Sequence, residues 1–287
     1  MDIADRGSDS WEFLEYEHTH GRHYVIRSNK DRKLHDKKDL GKTGRAGKSP
    51  TLHDFARDLP TLGTQEVHVA ASTKKGSKAR KANVRLASAP LTLAAPKQPR
   101  GQCTQKSLEV WVIYVGEINP PAGVTPLEWV LLSNVPAGNL AQTRERVDWY
   151  SCRPIIEDYH KGMKTGMGIE LPQFESADRL EPVIGLLGVS AAVLLQLRHA
   201  ARQPQAEHTP ATAVVPKLWT LLVASQAYRK PDKQLTVKEF FVGVAKLGGH
   251  LARKHDGPPG WLTLWRGWRK LHLMVDGAQA VMKGKCV

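Results

Sequence analysis

Residues 150–164 read YSCRPIIEDYHKGMK, and four of them carry chemistry at regular offsets: Tyr150, Arg153, Glu157 and Lys164. By type, a guanidinium makes a bidentate phosphate contact, an ammonium a point-charge contact, a phenol donates a hydrogen bond, and a carboxylate holds a hard cation. At about 100° per residue the four fall within roughly 60° of one another on a helix. The opposite face carries Cys152, Ile155, Ile156, Tyr159 and Met163, the pattern of a packed face. A surface helix with solvated charges has much the same composition, so the rest of the chain must decide between the two.

The elements that would hold this stripe can be read outward from it. Asn139 follows Pro136-Ala137-Gly138 and is a good N-cap, and Thr165-Gly166 ends the run, so the spacing predicts one helix from Asn139 to about Lys164. Pro154 lies inside it and removes a backbone hydrogen bond, which predicts a kink. At the start of the chain, Asp2–Asp5 reads as a short buried strand with no leader before it. Ser8 or Asp9 caps a helix to about His20, Gly21 stops it, and His23–Arg27 alternates as a strand.

Between these lies a basic, β-rich block. Strands are predicted at Gln65–Ala71, Ala82–Ala87, Ser107–Val115 and Leu127–Ser133, with turns at Lys74–Lys78 and Asn119–Gly123 and a glycine-rich loop at Gly41–Gly47. After the charged helix, Ala177–Ala201 is apolar nearly all round at its centre, which predicts a buried helix. Residues 203–216 read as a Pro/Ala/Thr linker and Lys217–Val287 as three helices. Trp261, Trp265 and Trp268 recur in the last of them with Leu264 and Leu271, a stripe read as core.

Net charge is +14, and residues 21–100 hold 19 Lys/Arg against 6 Asp/Glu, so +13 of it lies in that stretch. A charge so concentrated suggests a polyanion, most simply nucleic acid. Cys103, Cys152 and Cys286 lie far apart without metal-ligand spacing, which suggests a reducing compartment. The longest apolar run, Pro182–Leu197, is too short to span a bilayer, and the acidic start lacks a signal-peptide core. A cytoplasmic, nucleoid-associated protein is expected.

The order Tyr-x2-Arg-x3-Glu-x6-Lys resembles the signature of bacterial cut-and-paste DDE transposases of the insertion-sequence-four type. Around it, EDYHKGMKTG (Glu157–Gly166) is similar to the family's stretch after the catalytic Glu. ADRGSDSWEFLEY (Ala4–Tyr16) is similar to the segment bearing its second catalytic Asp, EINPPAGVTPLEWVLLSNVP (Glu117–Pro136) to the end of its β insertion, and GWLTLWRGWRKLHLMVDG (Gly260–Gly277) to its C-terminal helical domain.

The resemblance implies an α/β fold: a partial RNase H-like core interrupted by a β-rich insertion, followed by an all-α domain. Residues 1–28 would be the first part of the core, 29–137 the insertion, 138–202 the rest of the core, 203–216 a linker and 217–287 a dimerisation domain. It further implies DNA transposition by two-metal cleavage and strand transfer at transposon ends, with Mg²⁺ or Mn²⁺ held about 4 Å apart. Asp5 and Glu157 would be catalytic and metal-binding. Tyr150, Arg153, Lys164, Arg27 and Lys161 would bind DNA phosphate, and Trp129 would stack on a flipped base. The partners would be DNA and a second protomer in a synaptic dimer, with no membrane.

The chain departs from the family in two ways. Pro154 stands where the family often has Trp after the signature Arg. No Asp occupies the Asp-x-Thr context of the family's first catalytic Asp. The chain alone is therefore expected to be inactive. The alternative is a non-catalytic DNA-binding or dimerising remnant that inhibits a full-length transposase.

Overall fold

Pro154 decides how the chain is divided. In the computed structural model, which describes residues 1–32, 34, 51–69, 79–98 and 103–284, the chain forms two compact units, Met1–Pro154 and Ile155–Val287. The loop at Gly41–Gly47, the turn at Lys74–Lys78 and Cys286 lie outside the described residues.

The first unit is a mixed sheet covered on both faces. Its strands are β1 (Asp2–Ala4), β2 (Tyr24–Arg27), β3 (Gly63–Val69), β4 (Arg80–Ala94), β5 (Ser107–Glu117) and β6 (Glu128–Ser133). They lie in the order β1-β2-β6-β5-β4-β3. β1 and β2 are parallel, and the other neighbours are antiparallel. The strands expected from the core fragment and from the β block therefore share one sheet, joined where Val25 of β2 lies opposite Ser133 of β6.

Alternation in these strands sets the two faces. Tyr24, Ile26, Val112 and Leu132 point towards α1 (Trp11–Thr19) and α2 (Leu52–Asp58), a short helix that the sequence reading missed. Val25, Ile113, Val115 and Leu131 point the other way, under α3 (Leu140–Ser151) with its Val147 and Tyr150. Each fully buried aliphatic side chain contributes about 1.5–3 kcal/mol by leaving water. Ser10 caps α1 through Phe13 N–H, and Asn139 caps α3 through Gln142 N–H, as the sequence predicts for Asn139.

The single kinked helix does not form. Cys152 N–H and Arg153 N–H close onto Trp149 O and Tyr150 O, ending the helix after Ser151. Pro154 then opens α4 (Pro154–Lys161) as its first residue. A proline disfavours helical backbone in the residue before it and suits a helix's first position, so the chain breaks where a bend alone was expected. Tyr150 and Arg153 belong to the first unit, and Glu157 and Lys164 to the second.

The second unit is helical: α4, a π turn at Gly162–Gly166, α5 (Ala177–Ala200), α6 (Lys217–Tyr228), α7 (Val237–Leu247) and α8 (Trp261–Met282). Its core joins Leu194 and Leu197 of α5 to Val223, Phe240, Val244, Leu264, Trp268 and Leu271, so the Trp261/Trp268 stripe is core as read. α7 and α8 approach backbone to backbone, since a Cβ on Gly267 would lie 1.8 Å from Val244 O. Residues 203–216, read as a linker, carry local structure. They form two 3-10 turns whose Ala206 and Ala211 are buried.

Two expectations about apolar surface are corrected. α5 buries only Ala191, Leu194 and Leu197, while Leu186 is 68% and Val189 65% exposed. The three buried residues lie in its C-terminal half, which joins the helical core. On α4, Ile155 and Ile156 are also exposed, and of the expected packed face only Met163 is buried. With 24 residues and a mean hydropathy of 1.8, α5 is long and apolar enough to cross a membrane by length and composition, longer than the run judged too short.

Candidate functional site

β1 and β2 run parallel with Ala4 opposite Ile26, so Asp5 and Arg27 leave the sheet at the same end. Asp5 caps the 3-10 turn Arg6–Ser8: its Oδ1 accepts Gly7 N–H at 2.8 Å. Its Oδ2 accepts from Arg153 Nη2 at 2.6 Å. The break at Pro154 leaves Arg153 at the corner from which it makes this contact.

Arg27 is half-buried at the end of β2, and its Nη2 donates to Glu128 O at 2.7 Å. Its guanidinium stands beside the Tyr150 hydroxyl. Burial lowers the pKa of Arg27 from its ordinary value, and the like charge of Arg6 lowers it further. Tyr150 is 7% exposed. Burial raises its pKa against the pull of Arg27 and Arg153, so the phenol stays neutral and keeps its proton to donate. Trp129, on β6, sets its ring edge-to-face on Tyr150 with centroids 5.1 Å apart. It is partly buried against the α3-side core, a position between the base platform expected and an ordinary strand tryptophan.

Glu128, next to Trp129, anchors this end of β6. Arg57 Nε and Nη2 donate to its two oxygens at 2.8 and 3.0 Å, and Tyr114 OH donates to Oε1 at 3.0 Å. The Arg57 hydrogen bonds hold the Glu128 carboxyl below its ordinary pKa. Arg85 stacks over Tyr114 at 4.4 Å.

The first unit thus gathers five of the predicted site residues, Asp5, Arg27, Trp129, Tyr150 and Arg153, from four separate elements. The others lie in the second unit. Glu157 and Lys161 are exposed on α4, and Lys164 sits in the π turn with its Nζ 2.7 Å from Glu170. Sequence reasoning missed Arg6, Arg57 and Glu128. Arg6 was legible as the neighbour of Asp5, but the Arg57–Glu128 pair spans 71 positions and had no local signal.

In this unit Asp5 already accepts at both oxygens and lies among Arg6, Arg27 and Arg153, with the Glu128 carboxylate also near Arg27. Mg²⁺ and Mn²⁺ want clustered oxygen ligands, and three guanidiniums repel a cation. Within the first unit, these surroundings suit an anion. No protein-family model matches the chain. Fold and site define a class only: a mixed α/β unit with a cationic site at one sheet end, followed in sequence by a helical unit.

Proposed function

We propose that this chain is a transposase polypeptide of the DDE type it resembles, and that it binds DNA without cleaving it alone. On this reading the first unit holds the first part of an RNase H-like core and its β insertion, and residues 138–202 the rest of the core. The observation that carries the proposal is the meeting of Asp5, Arg27, Trp129, Tyr150 and Arg153 at one sheet end, although the sequence spreads them over about half the chain. Cationic forks, a neutral phenol and a partly exposed indole are the side chains that hold a DNA backbone and a neighbouring base. The basic stretch at residues 21–100 adds charge suited to a polyanion.

Cleavage and strand transfer with Mg²⁺ or Mn²⁺ belong to the family that the chain resembles. The ion pair of Asp5 with Arg153 favours the non-catalytic reading for this chain. The exposed leucine and valine of α5 support a second protomer as a further partner, so mixed oligomers with a complete transposase are the expected mode of action.

The test is DNA binding and nicking by the full chain on DNA carrying transposon ends. Binding without nicking in Mn²⁺ is expected. Nicking that Glu157→Gln abolishes would show that the chain is itself a nuclease. Absence of binding would contradict the reading altogether.

A further inference from the structure

Asp5 holds the position that the resemblance gives to a metal ligand, yet its contacts are those of a counter-ion. Oδ1 is spent on Gly7 N–H and Oδ2 on Arg153. The pair lies at the surface, with the Asp5 side chain 49% and the Arg153 side chain 24% exposed, so an incoming ligand can reach both groups. Arg27 and Arg6 crowd the same sheet end, and the neutral Tyr150 hydroxyl adds a donor. In the first unit, Arg6, Arg27, Arg57 and Arg153 stand against Asp5 and Glu128, which leaves positive charge in excess. A phosphodiester presents two oxygens in the fork geometry that a guanidinium prefers, as a carboxylate does. It would compete for the same N–H groups of Arg153.

Resting on the DNA-binding reading above, we propose that Asp5 is the resident counter-ion of Arg153 and not a metal ligand. In the free chain it holds Arg153 oriented at the sheet end. On binding, a DNA backbone phosphate takes the guanidinium and Asp5 is displaced. Asp5 is thus a positioning residue that tempers DNA affinity. Asp5→Asn keeps an acceptor for Gly7 N–H and removes the charge, so the local turn persists.

The experiment is fluorescence anisotropy of a labelled DNA duplex with the full chain, in EDTA and in Mn²⁺. The variants are Asp5→Asn, Arg153→Gln and the double substitution, with Glu66→Gln on β3, at the other edge of the sheet, as an equal change of charge. Asp5→Asn should tighten binding about two- to fivefold, the scale of a partly exposed ion pair. Glu66→Gln should have a smaller effect. Arg153→Gln should weaken binding and cancel the gain from Asp5→Asn, because a coupled pair is not additive.

Weaker binding by Asp5→Asn, or a gain that survives in the Arg153→Gln background, would overturn the proposal. So would Mn²⁺ retained by the unaltered chain and released by Asp5→Asn, read from the electron paramagnetic resonance of free Mn²⁺. DNA binding with such retention overturns this inference alone. DNA binding by no variant removes the DNA reading with it.

Discussion

In the first unit, both faces of the central strands meet helices: Tyr24 and Ile26 lie among the α1/α2-side core, Val25 and Leu131 among the α3-side core. In the second, α5 buries Leu194 and Leu197 yet leaves Leu186 and Val189 in water. Polar groups differ in the same way. The first unit ties its site residues together by contacts such as Arg153–Asp5 at 2.6 Å, while the signature residue Lys164 pairs with Glu170, two highly exposed side chains. An exposed pair of that kind contributes little, about 0–1 kcal/mol. One proline thus ends a helix that periodicity alone would continue, and the signature residues that follow it belong to different elements, α4 and the π turn.

The largest effect that would sharpen this comparison is expected at the α7–α8 crossing. Gly267→Leu drives a side chain into Val244 O and should cost more than about 3 kcal/mol in urea unfolding, with loss of the helical unit's transition. An unchanged midpoint would mean that the two helices do not touch there. Within α5, Leu194→Ala should cost about 2–5 kcal/mol, because the side chain is fully buried in the helical core.

Acid should distinguish the units next. Burial alone would raise the Glu15 pKa, but hydrogen bonds from Gln105 and Thr104 N–H and from the Thr104 hydroxyl hold it at about 2, below its ordinary 4.5. The folded-state value is the lower one, so the stability contributed is present above about 4.5 and lost as pH falls towards 2. Glu15→Gln should flatten the acid limb of the first unit's unfolding curve, followed by near-ultraviolet circular dichroism. A limb identical to that of the unaltered chain would contradict this. The smallest effect is at Leu186: Leu186→Ala should change stability by less than about 0.5 kcal/mol, since the side chain is already in water. A loss as large as that of Leu194→Ala would show this face to be covered in solution.

Local signals carried far in this chain and stopped at particular residues. Asn139 as a cap, Gly21 as a stop, the four middle strands and the tryptophan stripe of α8 were legible because cap chemistry and periodicity are local. The resemblance singled out Asp5, Arg27, Trp129, Tyr150 and Arg153, but the ion pair between Asp5 and Arg153, which joins residues 148 positions apart, was not legible. The break at Pro154 was misjudged as a kink because its outcome depends on what each half packs against. The exposure of α5 was misread for a related reason: an apolar composition says that a surface avoids water, not that a partner within the chain covers it.

The most direct test of the central claim is the salt dependence of duplex DNA binding by the full chain in EDTA, for the unaltered sequence, Arg27→Ala and Arg153→Gln. If the sheet-end cations hold backbone phosphates, each substitution should weaken binding and lower the slope of log affinity against log salt by about one. Slopes and affinities unchanged by both substitutions would contradict the account, placing any DNA contact elsewhere on the chain.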